Sequence, residues 1–326
     1  MTRPHVPQEV LDAAHARKAA RLSHNFDAAD RLKGEIEALG WRIVDRGVDF
    51  ALAPLHPADV AEEGRTLYGW SGGVPSRLDE PAVAPATVIV RAGDDAATAE
   101  LSVGTILGAA PAGTQVVIVA DGAASDVAEA VARVAADRPE AVEVVWVVAR
   151  QGTAAAINAG LRRAAGAVVI VLGAGARVGG DVVTPLLAAL ADPTVAVAGA
   201  QGQEGPDIQS LAPAPLTGDV AALDDTCLAM RRDDAAARGP LDERFRSPRL
   251  LAAWWSLVLR DEEDGPTRRA LVVPGLPVSR DVRAEAIDAA PDANAGERDR
   301  LARRDRYRLL DAFRDRDDLL VGDLPD

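Results

Sequence analysis

The sequence predicts an α/β fold built on a doubly wound sheet, with a small helical module in front of it. Three observations point there. From residue 87 onward, short β-branched runs alternate with Ala- and Leu-rich stretches of helical length, the pattern of right-handed βαβ crossovers. Residues 167–172, Ala-Val-Val-Ile-Val-Leu, form an uncharged run close to glycines on either side, as a strand covered on both faces requires. Residues 1–53 carry a different pattern, two helical segments followed by two short strand-like runs.

In that first module residues 9–23 read as a helix, and Asn25 offers an N-cap to a second helix over 27–39. Phe26, Ala29, Leu32, Ile36 and Leu39 recur at helical spacing and make one apolar stripe. Gly40 is placed to end the helix in a left-handed cap, and residues 41–45 and 48–52 flank Arg46-Gly47 as a β-hairpin. The segments 16–21 (Ala-Arg-Lys-Ala-Ala-Arg), 25–32 and 39–45 resemble the small C-terminal region of cysteinyl-tRNA synthetases. The resemblance is local and implies a docking or spacer module. The nucleotide-binding signatures of those enzymes are absent, and a single cysteine, Cys227, cannot build their zinc site. Arg17, Lys18, Arg21, Arg31 and Lys33 offer RNA a basic face, but Asp27, Asp30, Glu35 and Glu37 interleave with them, which favours an ordinary solvated surface.

Residues 54–86 are dense in proline and glycine and read as an extended connector that Tyr68 and Trp70 dock in part. The main domain is then expected over 87–282. Its strands fall at 87–91, 115–119, 142–148, 167–172 and 195–198, with helices at 96–108, 125–136, 153–165 and 181–190. Residues 283–326 form a charged helical tail in which Tyr307, Leu310 and Phe313 are expected to pack.

Composition narrows the function. Acidic residues outnumber basic ones 50 to 36, a net charge of −14 that repels phosphate backbones, so nucleic acid is a disfavoured partner. The lone cysteine fits a reducing compartment. No uncharged run has the length of a membrane span, and residues 1–10 lack the apolar core of a secretory signal, so a cytoplasmic location is expected.

The motifs are more specific. Residues 119–126, Val-Ala-Asp-Gly-Ala-Ala-Ser-Asp, follow the second strand; Arg150-Gln151-Gly152 and Asn158-Ala159-Gly160 follow the third; Cys227-Leu-Ala-Met-Arg-Arg232 precedes Gly239-Pro-Leu-Asp-Glu-Arg-Phe245; and Leu271 to Val278 holds a Pro-Gly turn. Together these resemble the family 2 glycosyltransferases, whose GT-A (nucleotide-diphospho-sugar transferase-like) fold has a mixed doubly wound sheet. The resemblance covers residues 87 to about 320. It implies a nucleotide-sugar cleft with Asp121 and Gly122 at the nucleobase, Arg150 and Asn158 on its border, and Asp242 on the acceptor side. Asp121 has an equal claim to a plain turn and helix-capping role, and the alternative for Asn158 is a side chain that only braces the loop of the preceding strand.

Against that pattern the chemistry is depleted. The family's metal-binding acids after the fourth strand fall at Gly173 and Gly175, the neighbouring acid of the second strand falls at Ala120, the acidic pair that supplies the general base falls near Ala252 and Ala253, and Ser279 stands where a histidine is common. Losing a general base alone costs about 10²- to 10⁴-fold. Asp181 is placed to cap a helix instead of replacing the missing acids, and Arg177 or Arg150 offers the only evident substitute for metal charge. No cofactor is therefore expected, and Mg²⁺ or Mn²⁺ only if the site is less degenerate than it reads. Three functions stay open: a degenerate glycosyltransferase that binds a nucleotide-sugar, or a protein partner such as an active relative; a metal-independent transferase acting on a cell-envelope or polysaccharide acceptor; and an RNA-linked adaptor. Gly173 to Val178 is a poor dinucleotide fingerprint, since Val178 holds the third glycine position. Trp254 and Trp255 fill the vacated acceptor side, face a partner, or serve as ordinary core.

Overall fold

The computed structural model describes residues 6–47, 49–62, 64–92, 96–214, 217–262, 265–280 and 294–320. The chain divides into two compact units, Met1–Trp70 and Ser71–Asp326. The division falls inside the stretch read as a connector.

In the first unit, α1 (Gln8–Leu22) and α2 (Phe26–Ala38) lie against each other, and β1 (Trp41–Arg46) pairs antiparallel with β2 (Asp49–Pro54). Asn25 caps α2 by accepting from the Ala28 N–H, and Gly40 takes φ +78°, the left-handed geometry that ends the helix. Val10, Ala14, Ile36 and Trp41 form the small core. The expected stripe is shorter than its spacing suggests: Ala29 and Ile36 are buried, whereas Phe26 and Leu39 at its ends are exposed. A second hairpin, β3 (Val60–Glu62) with β4 (Arg65–Tyr68), follows, and His56 stacks on Trp70 at 4.7 Å.

The second unit alternates as the sequence predicts. Its elements begin with β5 (Ala84–Arg91), α3 (Ala96–Ala109), β6 (Gln115–Asp121), α4 (Ser125–Asp137), β7 (Val142–Val147), α5 (Thr153–Arg163) and β8 (Gly166–Leu172). Then come β9 (Ala176–Val178), α6 (Val183–Leu190), β10 (Val195–Gly199), β11 (Gly202–Glu204), β12 (Ala212–Ala214), β13 (Gly218–Val220), β14 (Ala222–Leu223) and β15 (Cys227–Arg231). The last are α7 (Arg232–Arg238), α8 (Pro248–Arg260), β16 (Arg269–Val272), β17 (Val278–Arg280) and α9 (Ala295–Phe313).

The sheet of this unit runs β13-β16-β10-β15-β8-β5-β6-β7. Strands β8, β5, β6 and β7 are mutually parallel, β15 is antiparallel to β8 and to β10, and β10 is parallel to β16, so the sheet is mixed. Val88, Ile118 and Ile170 are fully buried, as expected of strands covered on both faces. Gly166 opens β8 because a Cβ there would fall 2.2 Å from the Ala86 backbone.

Two expectations need correction. In α9 the buried face is Asp305, Leu309 and Phe313, while Tyr307 is 70% exposed, because Asp305 is drawn inward to satisfy backbone donors near α8. Residues 71–83 are held by more than the aromatic anchors expected of the connector. Arg232 donates to the carbonyls of Arg77 (3.1 Å), Leu78 (2.9 Å) and Glu80, Arg163 donates to Pro75 O (3.0 Å), and the Arg77 N–H donates to Arg162 O (2.7 Å).

Cys227 begins β15 with no exposed surface, and burial pushes its thiol up to about 12. Ellman's reagent is therefore expected to leave the native protein unlabelled and to titrate its one thiol once the chain is denatured. Rapid labelling of folded protein would contradict this packing.

Candidate nucleotide-sugar cleft

An apolar cleft lies at the C-terminal ends of β5 and β8, the place where α/β sheets bind ligands. Its empty space, open mouth included, is about 620 Å³. Ile89, Ala156, Ile157, Leu228, Leu251 and Trp255 supply apolar wall, and Arg91, Thr153 and Asp225 bring the charged and hydroxyl groups.

At one end Arg91 bonds Thr153 Oγ1 (3.1 Å) and pairs with Asp121 Oδ2 (3.1 Å). The Asp121 side chain is 1% exposed and accepts the Gln151 N–H at 2.7 Å and the Gly152 N–H at 3.1 Å. Its carboxylate thus clamps the loop leading into α5, and it does not cap α4, whose N-cap, Ala124, makes no side-chain bond. Gly122 (φ +61°) is required there, since a Cβ would meet the Arg150 nitrogen at 2.3 Å. The Arg150 side chain is exposed.

Asn158 is 5% exposed and joins two of the motifs. Its amide donates to Leu241 O (2.9 Å) and Glu243 Oε1 (2.9 Å), and its carbonyl accepts the Leu241 N–H (2.8 Å). The braced loop lies 83 residues downstream and is not the loop of the preceding strand, which corrects the sequence expectation. Glu243 also accepts from Ser71 Oγ and so connects these segments. Asp242 folds onto its own loop: burial raises its carboxyl, hydrogen bonds from Arg244 more than offset that, and it ends below its ordinary value.

The turn at which the sequence resemblance puts the metal-binding acids is closed by the backbone. The Gly173 N–H donates to Thr226 O (3.1 Å), and a Cβ on Gly173 would fall 1.8 Å from the Asp225 carbonyl oxygen. Gly175 takes φ +76°, a geometry that any acid would occupy under strain. Asp181 caps the start of α6 through the Val183 (2.9 Å) and Thr184 (3.0 Å) N–H groups. Arg177, on β9, is exposed and stands opposite Ser279 of β17. Among the described residues no cluster of three or more His, Cys, Asp or Glu could hold a metal ion.

On the acceptor side Ala252 lines the cleft and Ala253 is fully buried. An acid does stand at the start of α8, but it arrives from α9: Asp305 Oδ2 accepts the Arg246 and Ser247 N–H groups, each at 2.7 Å, and has no exposed surface with which to meet a ligand. Trp255 is core, with its indole N–H on Met230 Sδ (3.1 Å), and Trp254 packs on Phe245 at 5.6 Å. The Arg231-Arg232 pair is structural, with Arg231 donating to the carbonyls of Leu190, Asp192 and Val195.

Of the candidates named from sequence, Gly173 and Ala252 line the cleft, whereas Asp121, Gly122, Arg150, Asn158, Arg177 and Asp242 do not. Sequence reasoning missed Arg91, Thr153 and Asp225. The only signal for Asp225 was an acidic pair, Asp224-Asp225, immediately before the apolar β15 run.

Residues 101–221 match the family described as Glycosyl transferase family 2. No curated protein matches the chain. Among solved structures, the mannosyltransferase PcManGT from Pyrobaculum calidifontis, in complex with GDP-Man and Mn²⁺, is 20% identical with a TM-score of 0.46, over 64% of this chain and 58% of its own. GalNAc-T7 with UDP, GalNAc and Mn²⁺ is 16% identical with a TM-score of 0.55, over 73% of this chain and 49% of its own. The chain thus spans about half the length of the second structure and shares its fold. Among the described residues no helix is long and apolar enough to cross a membrane. Residues 101–221 are thus glycosyltransferase family 2-like in sequence, within a mixed α/β unit of GT-A-like fold.

Proposed function

We propose that this chain is a catalytically degenerate glycosyltransferase family 2-like protein that keeps the nucleotide-sugar cleft as a binding or scaffolding surface. The observation that carries this reading is the contact at Gly173, where the Asp225 carbonyl fills the space a metal-binding side chain needs. The residues at this turn do not fit a divalent ion. The second support is on the acceptor side, where alanines occupy the general-base position and the nearby acid, Asp305, is sealed from solvent. Its natural partners are a nucleotide-sugar and a protein such as an active relative, in the cytoplasm.

Residues 1–53 are read as a docking module resembling the cysteinyl-tRNA synthetase C-terminal region. Their basic groups are engaged within the unit, Arg17 and Arg21 on Asp45 and Lys18 on Asp49, which speaks against an RNA-binding face.

Calorimetric titration with UDP-, GDP- and dTDP-sugars, with and without Mn²⁺, tests the reading. Binding of similar affinity in both conditions and no sugar transfer is the expected outcome. Tight binding that requires Mn²⁺ would overturn it, and metal-independent binding with slow donor hydrolysis would favour a metal-independent transferase.

A further inference from the structure

Helix α9 carries unanswered charge in a unit that pairs many of its arginines. Elsewhere in the unit Arg163 lies on Glu143, Arg231 on Asp234, Arg269 on Asp192 and Asp219, and Arg316 on Asp261 and Asp318. Arg300, Arg303, Arg304 and Arg306 of α9 are all exposed, and among the described residues their side chains make no hydrogen bond or ion pair. The one acid between residues 300 and 308 is Asp305, which is turned inward with Arg308 on its Oδ1 at 2.7 Å. A chain with a net charge of −14 thus exposes one strip that is basic throughout.

Helical geometry gathers these groups. Residues 300, 303, 304 and 307 follow the i, i+3, i+4, i+7 spacing, so three arginines and Tyr307 share the face opposite the buried Asp305, Leu309 and Phe313. Tyr307 is 70% exposed. The neighbouring acids stand at the ends of the strip: Glu297 and Asp299 precede it, and Asp311 follows it with Arg314 4.0 Å away. Because its apolar side is taken up by the protein, α9 is suited to lie along a surface and not to sink into one.

We propose that the Arg300, Arg303, Arg304 and Tyr307 face of α9 docks the protein on an anionic phospholipid leaflet, with the guanidinium groups on lipid phosphates and the Tyr307 ring at headgroup level. A guanidinium fork matches phosphate oxygens and stays charged at every physiological pH, and a ring with one polar end suits the interface between water and acyl chain. A leaflet meets only the face turned towards it, and salt screens the acidic remainder of the surface over about 8 Å. Nucleic acid is the poorer fit, since its affinity grows with the number of phosphates neutralised and one short strip answers few. The proposal stands apart from what fills the cleft.

The test is co-sedimentation of the full chain with phosphatidylcholine vesicles, with and without phosphatidylglycerol, at low and at high salt. Wild type is expected to sediment only with the phosphatidylglycerol vesicles and to be released by salt. The triple variant Arg300→Gln, Arg303→Gln, Arg304→Gln is expected to bind roughly 100-fold more weakly, at about fivefold per arginine, and Tyr307→Ala to lose less. A control of the same net charge, Arg42→Gln, Arg46→Gln, Arg138→Gln, replaces exposed arginines elsewhere and is expected to bind like wild type. All of these positions are exposed, so melting temperatures close to that of wild type are expected. If the α9 triple variant melts lower, Arg304→Gln alone carries the test through its fivefold loss. Failure of the wild type to bind the anionic vesicles, or equal losses in the two triple variants, overturns the proposal. So does tighter binding of duplex DNA or single-stranded RNA than of the vesicles, or a concentration-dependent dimer that only the α9 variant loses.

Discussion

Replacing Gly173 by alanine is expected to destabilise the protein strongly, and replacing it by aspartate is expected to do so without creating metal affinity. The added Cβ would fall 1.8 Å from the Asp225 carbonyl oxygen and 2.9 Å from its carbon, so the turn over 224–226 must move as backbone. That movement breaks the Gly173 N–H to Thr226 O bond and disturbs the entry to β15, which pairs with β8 from Cys227 to Arg231. Overpacking a tight interior site costs typically about 1–3 kcal/mol, and loss of a buried hydrogen bond adds to it. A loss of about 3 kcal/mol or more is therefore expected, read as a shift of the denaturant midpoint at constant m. Adding Gly175→Asp imposes a side chain on a backbone at φ +76°, a further cost of about 1–2 kcal/mol. An unchanged midpoint in Gly173→Ala, or Mn²⁺ binding gained by the double aspartate variant, would show that the metal position is merely vacant and not closed.

Asn158→Ala is expected to cost about 3 kcal/mol, because it strands several buried partners at once. Leu241 loses the groups that answer both its N–H and its carbonyl, and Glu243 loses the donor on Oε1 that accompanies Ser71. The corresponding fall in melting temperature is roughly 10 °C for a domain of this size. Asn158→Asp is expected to be at least as damaging, since a second carboxylate would face Glu243 at the 2.9 Å contact. A thermal scan in which Asn158→Ala melts within a degree or two of wild type would remove Asn158 as the tie between α5 and the 239–245 loop.

The strands of the main unit were legible because their physics is local. Residues 115–119 and 167–172 are β-branched and uncharged, and a strand covered on both faces needs little else. That residues 173 and 252 carry no carboxylate can also be read at their own positions. What could not be read is the set of contacts made across long separations. Nothing near Asn158 announces that it will hold Leu241, and nothing near Gly173 announces that the Asp225 carbonyl will press against it. The phase of α9 was misjudged for the same reason. Apolar spacing put Tyr307 on the packed face, but a polar residue, Asp305, sets the rotation because donors 58 and 59 residues earlier need an acceptor. Asp121 was ambiguous between turn and ligand site in sequence, and its partners, Arg91, Gln151 and Gly152, lie on three different segments.

That pairing of Asp305 with the start of α8 also orders events during synthesis. The ribosome delivers Arg246 59 residues and Ser247 58 residues before Asp305, so the two N–H groups at the mouth of α8 wait that long for their acceptor. The entrance to α8 is therefore completed only once α9 has been made.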